Sequence, residues 1–153
     1  MSKGPFLLDE FLPYRLSVLS NRLSAAIAES YSRRYGLSIP EWRVIAVLAH
    51  APGASAAEVG ERTAMDKVAV SRAVRRLQHT GRVSRRIAAG DRRRSMLDLT
   101  AAGRRIYDSV TPVLRRYEDA LLAALSTRER RELDALLRGL EQRARSLSAP
   151  VID

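Results

Sequence analysis

Apolar residues near the amino end of the chain recur at every third or fourth position. They form one stripe: Leu12, Leu16, Leu19, Leu23 and Ile27. That spacing is typical of an amphipathic helix with one apolar face. We predict a helix from about residue 9 to about residue 35, ended by Gly36. Because proline is tolerated only in a first turn, Pro13 moves the expected start closer to Leu12.

Ser-x-x-Glu sequences predict further helix starts, because the serine and glutamate side chains of such a capping box bond each other's backbone amides. The chain contains capping boxes that begin at Ser38, Ser55 and Ser126. Asp66 and Thr100 are expected to cap two more helices. The predicted helices cover residues 39–51, 55–62, 66–79, 100–125 and 126–147.

The periodicity changes after Gly81, which is expected to end a helix. Residues 82–88 and 95–99 are predicted strands. Residues 89–94, which are rich in glycine and arginine, are predicted to form the turn between them. The chain is therefore expected to be mainly α-helical with one small β-hairpin.

The last two predicted helices also carry apolar stripes. These consist of Ile106, Val110, Val113, Tyr117 and Leu121, and of Leu133, Leu137, Leu140, Ala144 and Leu147. Pro112 lies inside the first of these helices and is expected to kink it. Long amphipathic helices at both ends of a small chain need a surface to bury against, and a second copy of the chain would supply one. An intramolecular bundle is the alternative.

Positive charge is concentrated in the middle of the chain. The sequence has 27 Lys and Arg against 17 Asp and Glu, a formal net charge of +10. Residues 62–94 hold eleven of these cations and two carboxylates, so they account for nearly all of the excess. All but two of the cations are arginines, whose planar guanidinium groups suit phosphates. This distribution favours a nucleic-acid partner over a solvated face.

Three helices followed by a hairpin, in this order, are typical of a winged helix-turn-helix. The second helix of the motif, residues 66–79, has a stripe of Val70, Val74 and Leu77 that is expected to be buried. A helix of this kind can enter the major groove of DNA with its opposite face, and its amino-terminal half reaches the bases.

The outward face of this helix carries side chains that match groove chemistry: Lys67, Val68, Ser71, Arg72, Arg75 and Arg76. Base contacts are assigned to Lys67, Ser71 and Arg72, because their donors can bond base edges. Val68 is a candidate for a thymine-methyl contact, and Arg75 for a base or a phosphate.

The hairpin tip is predicted to reach a neighbouring minor groove. A narrow minor groove concentrates negative potential and attracts an inserted arginine. The candidates are Arg92, Arg93 and Arg94. Asp91 is expected to hold the loop by pairing with an arginine, for which Arg76 is the favoured partner.

Residues 91–103 resemble the wing and the following helix start of MarR-type transcriptional regulators. The pattern of that family reads Asp-x-Arg, a short strand and then Leu-Thr-x-x-Gly, and the chain has Asp91, Arg93 and Leu99 through Gly103 at these places. Residues 70–77 are similar to the family's recognition helix. The resemblance extends over nearly the whole chain.

The resemblance implies an obligate dimer that binds a palindromic operator in double-stranded DNA and is often released by a small ligand. It also implies that Arg93 is the minor-groove arginine and that Asp91 organises it. Arg82 departs from the family pattern, because an apolar residue usually follows Gly81.

These expectations divide the chain into three parts: residues 1–37 as an amino-terminal dimerisation helix, residues 38–99 as a winged helix-turn-helix lobe, and residues 100–153 as carboxyl-terminal dimerisation helices. The expected function is a sequence-specific dimeric transcriptional regulator, with repression as the default consequence of covering a promoter. The alternative is a charge-driven, non-specific nucleic-acid-binding protein without an effector. The ratio of affinities for operator and random DNA separates the two.

An effector site is expected between the dimerisation helices and the DNA-binding lobe, as in the proteins that the chain resembles. The predicted ligand-binding residues are aromatic or cationic: Tyr14, Arg15, Arg22, Trp42 and Arg43. Aromatic rings next to cations suit an aromatic carboxylate or a larger anionic conjugate, although a tryptophan packed in the core is the alternative for Trp42. Residues 11–17 and 39–43 are similar to members that govern aromatic-acid breakdown, some of which respond to hydroxycinnamoyl-coenzyme A thioesters.

Catalysis, cofactors and bound metals are not expected. The chain has no cysteine, and its two histidines, His50 and His79, fall in different predicted helices. Glycine loops of the kind that hold nucleotides are absent from the sequence. No signal peptide is evident, and no apolar run reaches the roughly 18 residues of a membrane helix. The protein is therefore expected to be cytoplasmic, without a membrane partner.

Overall fold

The computed structural model describes residues 5–149, and the side chains of residues 88 and 92–94 lie outside that description. The described chain is mainly helical with one two-stranded antiparallel hairpin, which confirms the expected fold class. A short 3-10 helix, Leu8–Glu10, is followed by α1 (Leu12–Tyr35), α2 (Ile39–His50), α3 (Ala56–Thr63), α4 (Lys67–His79), β1 (Val83–Ala88), β2 (Asp91–Leu99), α5 (Ala101–Leu121) and α6 (Thr127–Ser146).

The helices begin and end where local capping chemistry places them. Pro13 lies in the first turn of α1, and Gly36 ends that helix in the left-handed conformation, with φ of 62°. The capping boxes at Ser38, Ser55 and Ser126 are all formed, with hydrogen bonds in both directions. The sequence-based expectations for these helix starts are therefore confirmed.

The hairpin is longer than predicted. Val83 pairs with Leu99 at its base, and the register shifts by a β-bulge next to Ala88 near its tip. The second strand begins at Asp91 rather than at Ser95, so residues 91–94 are strand and not turn. Ile87 pairs with Ser95 and Ala88 with Asp91, so residues 92–94 form the bulge. Sequence patterning did not reveal this, because a run of charged residues gives no alternating apolar signal.

One hydrophobic core joins α1 through β2 and the first half of α5. Helix α4 contributes Val70, Ala73, Val74 and Leu77, all of them buried. Its neighbours contribute Tyr31, Leu37, Trp42, Val44, Ile45, Leu48, Ala54, Val59, Val83, Leu97, Ile106 and Val110. This core fixes the orientation of α4 relative to the helices around it.

The start of α5 packs tightly against the segment between α4 and β1. Thr100 caps α5 by accepting a hydrogen bond from Gly103 N at 3.2 Å, and its hydroxyl donates to Gly81 O at 2.7 Å. A Cβ atom at position 103 would collide with the carbonyl oxygen of Arg82. Only glycine therefore allows this approach.

The described residues form two compact units that divide after Leu114, within α5. Helix α5 continues through Pro112 and ends at Leu121, four residues before the predicted end. Arg130 closes the following turn by donating to Leu122 O at 2.7 Å and to Leu125 O at 3.2 Å. The sequence pattern does not reveal these contacts.

No residue of α6 is buried within the described chain. Over residues 5–149 no helix combines the length and the apolar character that crossing a lipid bilayer requires.

Candidate nucleic-acid interface

Helix α4 is held at both ends and along one face. The Asp66 carboxylate accepts a hydrogen bond from Ala69 N at 2.8 Å, as expected of its N-cap, and Gly81 follows the helix with φ of 68°. The predicted stripe of Val70, Val74 and Leu77 is buried against its neighbours, which confirms the orientation assigned from the helical wheel. Rotation of α4 would expose these apolar side chains, so the core fixes which face is presented to solvent.

The residues predicted to contact DNA lie on the exposed side of α4. They are Lys67, Val68, Ser71, Arg72, Arg75 and Arg76, and every one of them is exposed. Val68 is unusual for an apolar residue because 57% of its surface is accessible. An apolar side chain standing clear of the core next to donors is what a thymine methyl contact requires.

Arg76 makes a contact that the sequence did not predict. Its Nε lies 3.2 Å from Glu41 Oε1, and the Glu41 side chain is only 2% exposed whereas that of Arg76 is 69% exposed. Glu41 Oε1 accepts no hydrogen bond from the described residues, so the contact is ionic. The other carboxylate oxygen of Glu41 accepts from Ser38 N at 2.7 Å, in the capping box of α2. The structure thus gives Arg76 the partner Glu41, and the expected pairing of Asp91 with an arginine stays a prediction.

A cavity of about 510 Å³ lies between α3, α4 and the hairpin. Lys67 and Ser71 line it together with Arg85, which projects from β1. Arg85 therefore adds a cation next to two residues assigned to base contacts. The sequence showed it only as one of eleven cations in residues 62–94, because strand periodicity does not reveal which side of a hairpin faces a helix.

The hairpin is stiffened by an ion pair across its strands. Arg86 Nε donates to Asp98 Oδ2 at 2.7 Å. Asp91 is the first residue of β2, next to the bulge. The predicted minor-groove residues Arg92, Arg93 and Arg94 have their backbone in β2, and their side chains lie outside the described part of the structure.

Three of the predicted ligand-binding residues lie together on α1. Tyr14, Arg15 and Arg22 line a groove of about 360 Å³ together with Asp9, Val18 and Leu19. Its two guanidinium groups outnumber the one carboxylate, and with the phenol and the apolar side chains they suit an amphipathic anion.

The other two predicted ligand-binding residues lie further along the lobe. Trp42 is 9% exposed and stacks between Tyr31 and Tyr107, with ring centres 5.4 and 6.0 Å away. Burial raises the pKa of the Tyr31 hydroxyl, and Arg43 opposes the shift. Tyr31 follows Arg22 by about 13 Å along the axis of α1. The expected site is therefore split into an exposed groove and a largely buried aromatic cluster.

Within the described residues no three His, Asp or Glu side chains come together in a group that could hold a metal ion. His50, one of the two histidines, is hydrogen-bonded through Nε2 to the hydroxyl of Tyr107.

An exposed cationic face on a helix fixed by the core, followed by a stiffened hairpin, defines a winged helix-turn-helix DNA-binding protein. Residues 35–94 match the model of the MarR family. Over 131 residues the chain is 30% identical to the HTH-type transcriptional repressor Rv2887 of Mycobacterium tuberculosis. This alignment covers 85% of this chain and 91% of that protein. The chain belongs to the MarR family.

Solved structures agree with this assignment. The crystal structure of a MarR/EmrR family transcriptional regulator from Acinetobacter sp. ADP1 superposes with a TM-score of 0.85, at 25% identity, over 93% of this chain and all of that one. The PcaV transcriptional regulator from Streptomyces coelicolor, crystallised with its natural ligand, gives a TM-score of 0.73, at 25% identity, over 93% of this chain and 99% of that one. The protein is a DNA-binding transcriptional regulator and not an enzyme.

Proposed function

We propose that the protein is a dimeric repressor that recognises a palindromic operator and is released from it by a small aromatic anion. The single observation that carries the DNA-binding part is the division of α4 into two faces. Its apolar side is wholly buried, and its exposed side holds the residues that match groove chemistry. A helix presented in this way can enter a major groove without any change in the core.

The donors nearest the amino end of α4 are assigned to bases. Lys67, Ser71 and Arg72 lie in the first two turns, the part of a recognition helix that reaches base edges. Arg75, one turn further on, contacts a base or a phosphate. The ion pair with Glu41 fixes Arg76 beside α2, so Arg76 is suited to a phosphate on the flank of the groove.

The hairpin is assigned to the minor groove. Three consecutive arginines follow Asp91 in β2 and contribute to the positive charge of residues 62–94. We assign the groove insertion to Arg93, with Arg92 and Arg94 on the flanking phosphates. The Arg86–Asp98 ion pair limits bending of the hairpin and so supports a defined position for its tip.

Dimerisation is assigned to residues 1–37 and 100–153, which flank the lobe of residues 38–99. Leucines of α1 and α6 are left exposed in the single chain, among them Leu16, Leu19 and Leu137. Exposed leucines at helical spacing are typical of a surface covered by a partner. Two copies related by a twofold axis would present two recognition helices to the two halves of a palindrome.

The effector is assigned to the α1 groove and the aromatic cluster. In the groove, Arg15 and Arg22 offer two guanidinium groups to a carboxylate, with Tyr14 beside them. Trp42 and Arg43 start α2, next to Glu41, which contacts the recognition helix. A ligand that moved the start of α2 would therefore displace Glu41 and, through it, change the position of Arg76.

The DNA-binding assignment is tested by fluorescence anisotropy with the duplex upstream of the protein's own gene and a scrambled duplex, at one fixed salt concentration. Arg72→Ala is expected to lower the ratio of the two affinities by about 5- to 150-fold, the value of one good base contact. Arg33→Ala removes the same charge from α1, where Arg33 is exposed and paired with Glu29, and should leave the ratio unchanged. Equal affinity of the parent protein for both duplexes would favour the charge-driven alternative.

The effector assignment is tested by titrating the protein–DNA complex with free aromatic acids and with hydroxycinnamoyl-coenzyme A thioesters. We expect one of these classes to release the duplex from the parent protein. Arg15→Ala should then require a higher concentration for release while binding DNA normally. Retention of the duplex at every concentration of all these compounds would contradict the assignment.

A further inference from the structure

A cleft of about 460 Å³ lies where the end of α1 meets the end of α4 and the start of α5. Three arginines line it: Arg34, Arg82 and Arg105. The described residues that line the cleft include no carboxylate, so its potential is positive. Its volume is in the range of small-molecule sites. Arg82 is also the residue that departs from the family pattern after Gly81.

Tyr35 holds two of these arginines in position. Arg82 Nη2 donates to the Tyr35 carbonyl oxygen at 2.6 Å. The guanidinium carbon of Arg34 lies 5.4 Å from the centre of the Tyr35 ring, as in a cation–π contact. Side chains restrained in this way lose less conformational freedom when a ligand binds. The cleft is therefore partly preorganised.

Hydroxyl groups add further donors to the cleft. The Tyr35 hydroxyl donates to Ser109 Oγ at 2.8 Å, which leaves the hydrogen of Ser109 available to a second acceptor. Arg105 and Ser109 are four residues apart on α5 and so lie on one face of it. Carbonyl groups at the ends of α1 and α4 would repel an anion, but Arg82 and the hydroxyl of Thr80 already donate to two of them.

The geometry points to a binding site in this cleft for a phosphate-bearing small molecule. Planar guanidinium groups bind phosphate oxygens with pairs of hydrogen bonds, and three of them suit a doubly charged phosphate. Phosphates of the bound DNA suit the cleft less, because the cleft is far from the base-contacting end of α4. Lys67 lies at that end, and Thr80, which lines the cleft, is about 20 Å from it along the helix. The site uses none of the residues assigned to the aromatic effector, so it stands independently of that assignment.

The test is isothermal titration calorimetry of the full chain with inorganic pyrophosphate, in the absence of DNA. We expect saturable binding of one pyrophosphate per chain. Arg105→Ala should weaken it by about 10- to 100-fold, the value of a hydrogen bond to a charged group. Ser109→Ala should weaken it less. Arg33→Ala is the matched control, since it removes one exposed charge next to Arg34 without lining the cleft.

Three results would overturn the proposal. Absence of saturable binding is the first. Equal weakening by Arg33→Ala and Arg105→Ala is the second, because pyrophosphate would then be attracted by overall charge alone. In a parallel arm, the salt dependence of duplex binding is measured for Arg105→Ala. The third result is a decrease of about 0.9 in the slope of log affinity against log salt concentration, without saturable pyrophosphate binding. It would show that the cleft contacts the DNA backbone instead.

Discussion

Helices α4 and α6 carry similar stripes of apolar residues but bury them to very different extents. In α4 the residues Val70, Val74 and Leu77 are all buried by other elements of the same chain. In α6 the leucines Leu133 and Leu137 remain exposed, and none of its residues is buried within the described chain. The two helices therefore depend on different surfaces for the burial of their apolar faces.

This difference separates folding from assembly. The lobe around α4 has its core in one copy of the chain, so its stability is a property of that copy. The apolar face of α6 is not buried within the described residues, so its burial requires a further surface. The second copy proposed above would make that stabilisation depend on concentration. Substitutions in the core around α4 should lower the stability of the lobe at every protein concentration. Substitutions on the apolar face of α6 should chiefly weaken the assembly.

Among the substitutions that test this difference, Leu77→Ala is expected to have the largest effect on the free energy of unfolding. Leu77 is fully buried, and its truncation should lower the free energy of unfolding by about 2–5 kcal/mol through lost burial and a cavity. Urea denaturation followed by circular dichroism measures the loss. The loss should not change with protein concentration. A loss that grows on dilution would show that the lobe itself is stabilised by the partner.

Leu137→Asp should affect assembly rather than the lobe. A carboxylate on the apolar face of α6 is expected to raise the dimer dissociation constant by about 10- to 30-fold, or about 1.4–2 kcal/mol. Sedimentation equilibrium gives this constant. Ala135→Asp is the control, because two residues along a helix lie about 200° apart and thus face away. Equal dissociation by both variants would contradict the assigned face.

Ser55→Ala removes a cap inside the lobe. Ser55 Oγ accepts from Glu58 N at 3.2 Å, and its own N donates to Glu58 Oε2 at 2.7 Å. Loss of the side chain should lower the free energy of unfolding by about 1 kcal/mol. Thermal and urea denaturation measure it. Ser55→Asp keeps an acceptor at the N-cap and should behave as the parent; a loss as large as that of alanine would disprove the capping role.

Glu41→Gln is expected to have the smallest effect. Glutamine preserves the size of the side chain and can keep the capping box of α2, but it removes the charge that faces Arg76. Because Arg76 is largely exposed, the stability should change by only about 0–1 kcal/mol. Glu41→Ala, which also removes the cap, should cost more. Similar values for the two variants in urea denaturation would show that the ion pair outweighs the cap.

Features encoded by neighbouring residues could be predicted from the sequence. The three capping boxes, the cap at Asp66 and the terminators Gly36 and Gly81 each depend on residues within a few positions of one another. The division of α4 into buried and exposed sides followed from helical periodicity. Once one apolar stripe is assigned to the core, the directions of all other side chains of the helix are determined. Local chemistry and a single repeat therefore defined most helix boundaries and the orientation of α4.

Contacts between distant residues could not be predicted in the same way. Arg82 and Tyr35 are 47 positions apart, and periodicity does not show which sides of two helices face each other. The same holds for the ion pair between Glu41 and Arg76. The length of β2 was underestimated for another reason, since its first residues form a bulge and, being charged, give no alternating apolar signal. The candidate DNA-contacting residues could be placed on an exposed face, but their neighbours could not be named.

The close packing at Gly103 changes what the Leu-Thr-x-x-Gly motif signifies. The glycine is required by the carbonyl oxygen of Arg82, and the threonine by hydrogen bonds that cap α5 and tie it to Gly81. Neither residue has a side chain free to read a nucleotide sequence. A protein recognised by this signature alone is thus identified by its architecture, and its choice of genes must be sought in other positions.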